Sequence, residues 1–156
     1  MIEEELKEFL DDYSKVIFLG IGNRLKTDDG VGSKIIDKLK DLQNNSLIFI
    51  DGETVPENFT GKIRKENPSH LIIIDACLMG QEPGTVKVVN QENFVNIGIS
   101  THSMSLSFFV KYLQTDLEFK VLFIGIEPES MDYSEELSKV VKNSSDELTD
   151  IIRGIL

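Results

Sequence analysis

The feature that most constrains this chain is a recurring unit: a short apolar run that stops at a glycine or an acid, followed by helically spaced apolar residues. Val16–Ile21 is continuously apolar and bounded by glycines, the mark of a strand buried on both faces. From Gly30 onward Val31, Ile35, Ile36, Leu39 and Leu42 recur at helical spacing. A second run, Leu47–Ile50, stops at Asp51-Gly52, and a third, Leu71–Ile74, stops at Asp75. Phe119–Ile124 predicts the last strand, ending at Gly125-Ile126-Glu127-Pro128. Thr85–Val89 predicts a short strand at an edge, after a turn composition over Gly80–Gly84. Helices are predicted over the first dozen residues (Leu6, Phe9 and Leu10 on one side), within Pro56–Glu66, over Ser103–Leu113 and over Ser134–Ile152. Strands alternating with helices imply an α/β fold: one domain over residues 1–156, in three α/β/α layers, with a twisted, mostly parallel sheet flanked by helices on both faces.

Charge and composition narrow the partners. Sixteen basic residues against 27 acidic ones leave a net charge of −11, which disfavours nucleic acid and anionic membrane surfaces, since phosphate binding needs clustered Lys and Arg. No run of about 18 apolar residues occurs, so no membrane insertion is expected. The acidic start, Met1–Lys7, does not read as a secretory signal, and the single Cys77 has no internal disulfide partner. A cytoplasmic location fits both.

Strand, glycine-rich turn and helix is the outline of a dinucleotide site. Gly20 and Gly22 fit that fingerprint, but its third glycine is Leu25. No Gly-Lys-Ser/Thr ends the loop, so it is not a P-loop. Asp28 and Asp29 stand where a phosphate would sit and repel it. Either acid can instead cap the helix that follows.

Asp75 follows the third apolar run, and ligands of parallel sheets bind at the carboxyl ends of strands. The turn after the first strand brings Asp28 and Asp29 to that same rim. His102, just ahead of the fourth helix, lies on a loop that could reach it. Two carboxylates and an imidazole make an O, O, N set for a borderline divalent cation such as Zn or Ni. A helix-capping or solvent-facing role is the alternative for His102. Cys77 reads as buried rather than nucleophilic. His70 opens a strand at its far end, away from the rim, and reads as structural or exposed. Neither a Gly-x-Ser-x-Gly elbow nor a His-Glu-x-x-His helix is present.

The ordered series Gly20-Ile21-Gly22-Asn23, Asp28-Asp29-Gly30-Val31-Gly32, Asp51-Gly52, Pro56-Glu57-Asn58, Leu71–Ala76, Gly80, Pro83-Gly84, Thr101-His102 and Phe123–Pro128 resembles the nickel–iron hydrogenase maturation endopeptidases. It covers about residues 16 to 128. Asp51–Ala76 and the Gly125–Pro128 turn look most like the branch serving formate-hydrogenlyase-type and energy-converting hydrogenases. The resemblance implies an endopeptidase that removes a C-terminal extension from a hydrogenase large-subunit precursor after nickel loading. The nickel is supplied by that precursor and serves as a recognition element; in the isolated protein it is expected to be absent or replaced by another divalent cation. Family metal contacts fall on Asp29, Asp75 and His102, with Asp29 and Asp75 also the catalytic candidates and Asp28 a possible accessory. The resemblance further implies a monomer that docks transiently on a larger partner. A non-catalytic nickel-binding chaperone or metal-binding module uses the same ligands and is the competing expectation. Ser103-Met104-Ser105 departs from the Asn or Arg common beside the family histidine, and residues 1–14 lie outside the resemblance as a helical extension.

Overall fold

The computed structural model describes residues 1–98 and 104–156. Its five strands are β1 (Val16–Gly20), β2 (Leu47–Asp51), β3 (His70–Ala76), β4 (Val86–Asn90) and β5 (Lys120–Ile126). They form one sheet in the order β2-β1-β3-β5-β4. All neighbours are parallel except β4, which runs antiparallel to β5 at the edge. The helices are α1 (Ile2–Phe9), α2 (Val31–Leu39), α3 (Thr60–Glu66), α4 (Leu106–Leu113) and α5 (Lys139–Ile155).

Side-chain alternation along the buried strands sorts the helices into two layers. Val16 and Phe18 of β1 and Ile72 and Ile74 of β3 pack with α1, α2 and α5. Ile17, Leu19, Leu71 and Ile73 pack on the other face with Ile63 of α3 and Phe109 and Leu113 of α4. Both faces of β1 and β3 are therefore covered, which is why these strands are apolar throughout rather than alternating.

From β1 the chain crosses to β2 on one side; from β2 it returns past β1 to β3 on the other. This reversal of direction opens a crevice between the carboxyl ends of β1 and β3, where α/β sheets bind ligands.

Several boundaries differ from expectation for physical reasons. β3 runs two residues past Ile74, so Asp75 sits within the strand, opposite Gly125 of β5, rather than after it. The last helix begins at Lys139, not Ser134, because Ser138 gives its N–H and hydroxyl to Asp28. α4 begins at Leu106, with the Ser105 hydroxyl accepting the Phe108 N–H as an N-cap. Neither Asp28 nor Asp29 caps α2: that helix starts from Gly30 without a side-chain cap, and the two carboxylates are used elsewhere.

Candidate active site

The loop leaving β1 is packed too tightly for side chains. A Cβ on Gly22 would lie 2.1 Å from the Asp29 carbonyl oxygen. One on Gly32 would lie 2.4 Å from the carbonyl oxygens of both Ile21 and Ile74. The glycines thus let the β1 loop, the start of α2 and the end of β3 meet backbone to backbone. Ile21 N–H donates to Ile74 carbonyl (2.9 Å), and Gly22 N–H to Glu53 carbonyl (2.9 Å). The glycines that resemble a dinucleotide fingerprint bring the Asp29 turn against β3 instead.

Asp29 sits in a 3-10 turn, Thr27–Gly30, and is 3 % exposed. Its Oδ2 accepts the Asn23 N–H at 3.3 Å. Its Oδ1 is buried and has no hydrogen-bond partner among the described residues. An unsatisfied buried carboxylate oxygen costs about 1–3 kcal/mol or more, so its retention calls for a ligand. A cation is the chemically matched one.

Asp28, its neighbour, is in the opposite condition. It is fully buried, and both oxygens are engaged. Oδ2 accepts from Glu129 N–H (2.9 Å), Ser130 N–H (3.0 Å) and the Ser138 hydroxyl (2.8 Å), while Oδ1 accepts from Ser138 N–H (2.8 Å). Thr27 N–H donates to the Ser134 carbonyl, Ser134 N–H to that of Leu25, and Asp28 N–H to that of Ser130. Asp28 is the clasp that holds residues 129–138 over the β1 loop. One acid of the pair builds the wall and the other keeps an oxygen spare.

Asp75 is fully buried. By strand alternation it shares a face with Leu71, Ile73 and Cys77, the face covered by α3 and α4. Opposite it, Gly125 leaves room: a Cβ there would fall within 3.1 Å of Cys77 and Met79 side-chain atoms. Two residues on, buried Glu127 accepts N–H bonds from Met79 (2.8 Å) and Gln81 (3.1 Å), fixing the loop after β3. Burial, then the charges of Asp75 and Glu127, push the Cys77 thiol up to about 11. A raised thiol favours the protonated form at neutral pH, which disfavours a nucleophilic role.

Arg24 anchors the whole loop. Its guanidinium forks onto Asp37 (2.6 and 3.0 Å) and reaches Asp51 at 2.6 Å. Asp51 also accepts the Ser33 hydroxyl (2.6 Å) and the Glu53 N–H (3.0 Å). These bonds hold Arg24 above its ordinary value, through Asp37 first, and Asp37 below its own, through Arg24 first. Arg24 and its network escaped the sequence reading; the one available signal was the Asp51-Gly52 end of β2.

His70 is buried at the far end of β3, as its place in the sequence implies. Its ring bonds Ser69 Oγ (2.8 Å) and Asp12 (3.0 Å) and meets Phe9 edge-on, so it ties α1 to the sheet. His102 lies outside the described residues. The flanking segment is described: Gly98 bridges to Ser105, and Leu106 N–H bonds to the Ile97 carbonyl, which seats this loop's base beside α4. Among the described residues no three His, Cys, Asp or Glu side chains form a metal cluster. Of the expected ligand set, Asp29 and Asp75 are among the described residues, and Asp29 fits a cation by its spare oxygen.

Comparison with known proteins agrees with this architecture. A family model described as HycI, hydrogenase maturation protease, matches residues 33–155. A Methanocaldococcus jannaschii protein assigned as a hydrogenase maturation protease is 34 % identical over 163 residues, covering 99 % of this chain and 96 % of its own length. The hydrogenase 3 maturation protease of Escherichia coli is 27 % identical and covers 88 % of each chain. The crystal structure of a NiFe hydrogenase maturation protease, HycI, from Thermococcus kodakarensis superposes with a TM-score of 0.88 at 25 % identity, over 97 % of this chain and 98 % of that one.

Proposed function

The chain belongs to the hydrogenase maturation protease family and is by that membership a peptidase; we propose that its substrate is the nickel-loaded precursor of a hydrogenase large subunit, from which it removes a C-terminal extension. The observation that carries this reading is the buried Asp29 Oδ1, without a hydrogen-bond partner among the described residues, beside a loop that packs against the end of β3, the strand that carries buried Asp75. Nickel arrives as part of the substrate, and Asp29, Asp75 and His102 are its contacts in the proposal. Asp29 presents a bare oxygen beside a loop whose glycines let it pack backbone to backbone against the end of β3. A carboxylate in such a place also holds and moves the proton of an attacking water. In this proposal the protein acts as a monomer in the cytoplasm. No helix among the described residues is long and apolar enough to cross a membrane.

The test mixes the purified protein with a folded precursor, with and without nickel, and weighs the products. Loss of a C-terminal peptide from the nickel-loaded sample alone supports the reading. Asp29→Ala and Asp75→Ala abolish that cleavage, whereas normal processing by either variant sinks the site assignment. A metal titration of wild type against His102→Ala separates a peptidase from a chaperone: a chaperone retains nickel without releasing any peptide.

A further inference from the structure

The two edges of the sheet are treated differently. On the outer side of β2 the exposed ladder is closed by side chains: Leu47 N–H donates to Asn44 Oδ1 (2.9 Å) and Phe49 N–H to Gln43 Oε1 (3.1 Å). At the other edge, β4 pairs with β5 alone. Glu127 N–H donates to the Thr85 carbonyl at 2.9 Å, which makes Thr85 opposite Glu127 a hydrogen-bonded pair. Antiparallel pairs alternate, so Lys87 and Val89 bond inward to β5, and Val86, Val88 and Asn90 turn their N–H and C=O groups outward. No side chain among the described residues caps those groups. An open row of backbone donors and acceptors is a template for another extended strand.

Beside this edge run two clefts of about 210 and 320 Å³. β4 and β5 line them with Val86, Val88 and Leu122, and α1 and α5 add apolar side chains such as Phe9 and Leu148 together with Glu5, Glu8 and Glu147. The start of β4 lies at the catalytic rim, since Val86 faces Ile126, one residue beyond the Gly125–Asp75 pair. A strand added outside β4 would lie three strand spacings from β3, about 14 Å. An extended chain crosses that gap in about four to five residues.

We propose that the open edge of β4 receives the part of the precursor beyond the cleavage point as an added β-strand, running down from the rim parallel to β4, with apolar or basic side chains toward α1. This rests on the function proposed above and names a second recognition element for the same substrate. The acidic cleft walls favour a cationic segment. They disfavour a second copy of this chain, which carries a net charge of −11.

Proline at an outward position tests it, because it removes a template donor without breaking a bond to β5. With the full-length nickel-loaded precursor, Val88→Pro raises KM about tenfold and leaves kcat unchanged, as the loss of one or two strand bonds implies. A precursor whose extension is cut to about two residues, too short to reach β4, shows the same raised KM with wild type, and Val88→Pro adds nothing to it. Unchanged KM in either case overturns the proposal. Val86→Pro serves as the second variant if Val88→Pro lowers Tm. Amide hydrogen exchange at Val86, Val88 and Asn90 on adding the precursor needs neither cleavage nor a variant. Protection without cleavage upholds the strand site while refuting the peptidase substrate. No protection, or protection that instead grows with the protein's own concentration, overturns it.

Discussion

Replacing Asp28 with alanine isolates what the clasp contributes. The carboxylate accepts four hydrogen bonds, three from backbone N–H groups of Glu129, Ser130 and Ser138 and one from the Ser138 hydroxyl, at 2.8 to 3.0 Å. Bonds to a charged acceptor contribute about 1.5–3 kcal/mol each, but these four act as a unit, and the freed strap regains water. The expected loss is about 3–5 kcal/mol, below the simple sum for that reason. For a chain of this size that is a fall in Tm of about 10 °C or more. Denaturant melts of wild type, Asp28→Ala and Asp28→Asn measure it. Asparagine keeps one acceptor oxygen but points an amide at a donor, so it falls between the other two. Amide exchange at residues 129, 130 and 138 accelerates in both variants, ahead of the rest of the chain. A loss under about 1 kcal/mol with unchanged exchange refutes the clasp.

Other outcomes follow from the same geometry. Gly32→Ala forces a Cβ to 2.4 Å from two carbonyl oxygens, so it destabilises by about 3 kcal/mol or more, or fails to fold, in thermal melts. Cys77→Ala leaves precursor cleavage intact in the mass-spectrometric assay, and iodoacetamide labels wild type only slowly near neutral pH; a cleavage-dead variant contradicts the protonated thiol. The Cys77 value rises from 9.0 to about 11 on folding, so its contribution to stability is complete below pH 9 and is lost as pH rises towards 11, readable in alkaline melts. Arg24→Lys keeps the charge but not the fork onto Asp37 and Asp51; with both partners part-exposed, the cost is about 1 kcal/mol. Asp37 is held below its usual 3.8 by Arg24, so the pair's contribution is present above that pH and fades as acid titrates it, less steeply in Arg24→Lys.

The sequence by itself determined the layer architecture, because strands buried on both faces must be apolar at every position and helices between them must show one apolar stripe. It also made Asp28, Asp29 and Asp75 candidates together, since acids at the carboxyl ends of adjacent buried strands have one rim to share. It could not divide labour between Asp28 and Asp29: adjacent aspartates look alike until residues 129–138, a hundred positions away, take up one and leave an oxygen of the other bare. Nor could it show that β3 continues through Asp75, that the last helix waits until Lys139, or that Arg24 ties the loop to Asp37 and Asp51. Those features depend on which distant backbone donors find an acceptor. Local periodicity records only how a segment meets the core, so partners brought together by the crossing of the chain are decided by tertiary structure alone.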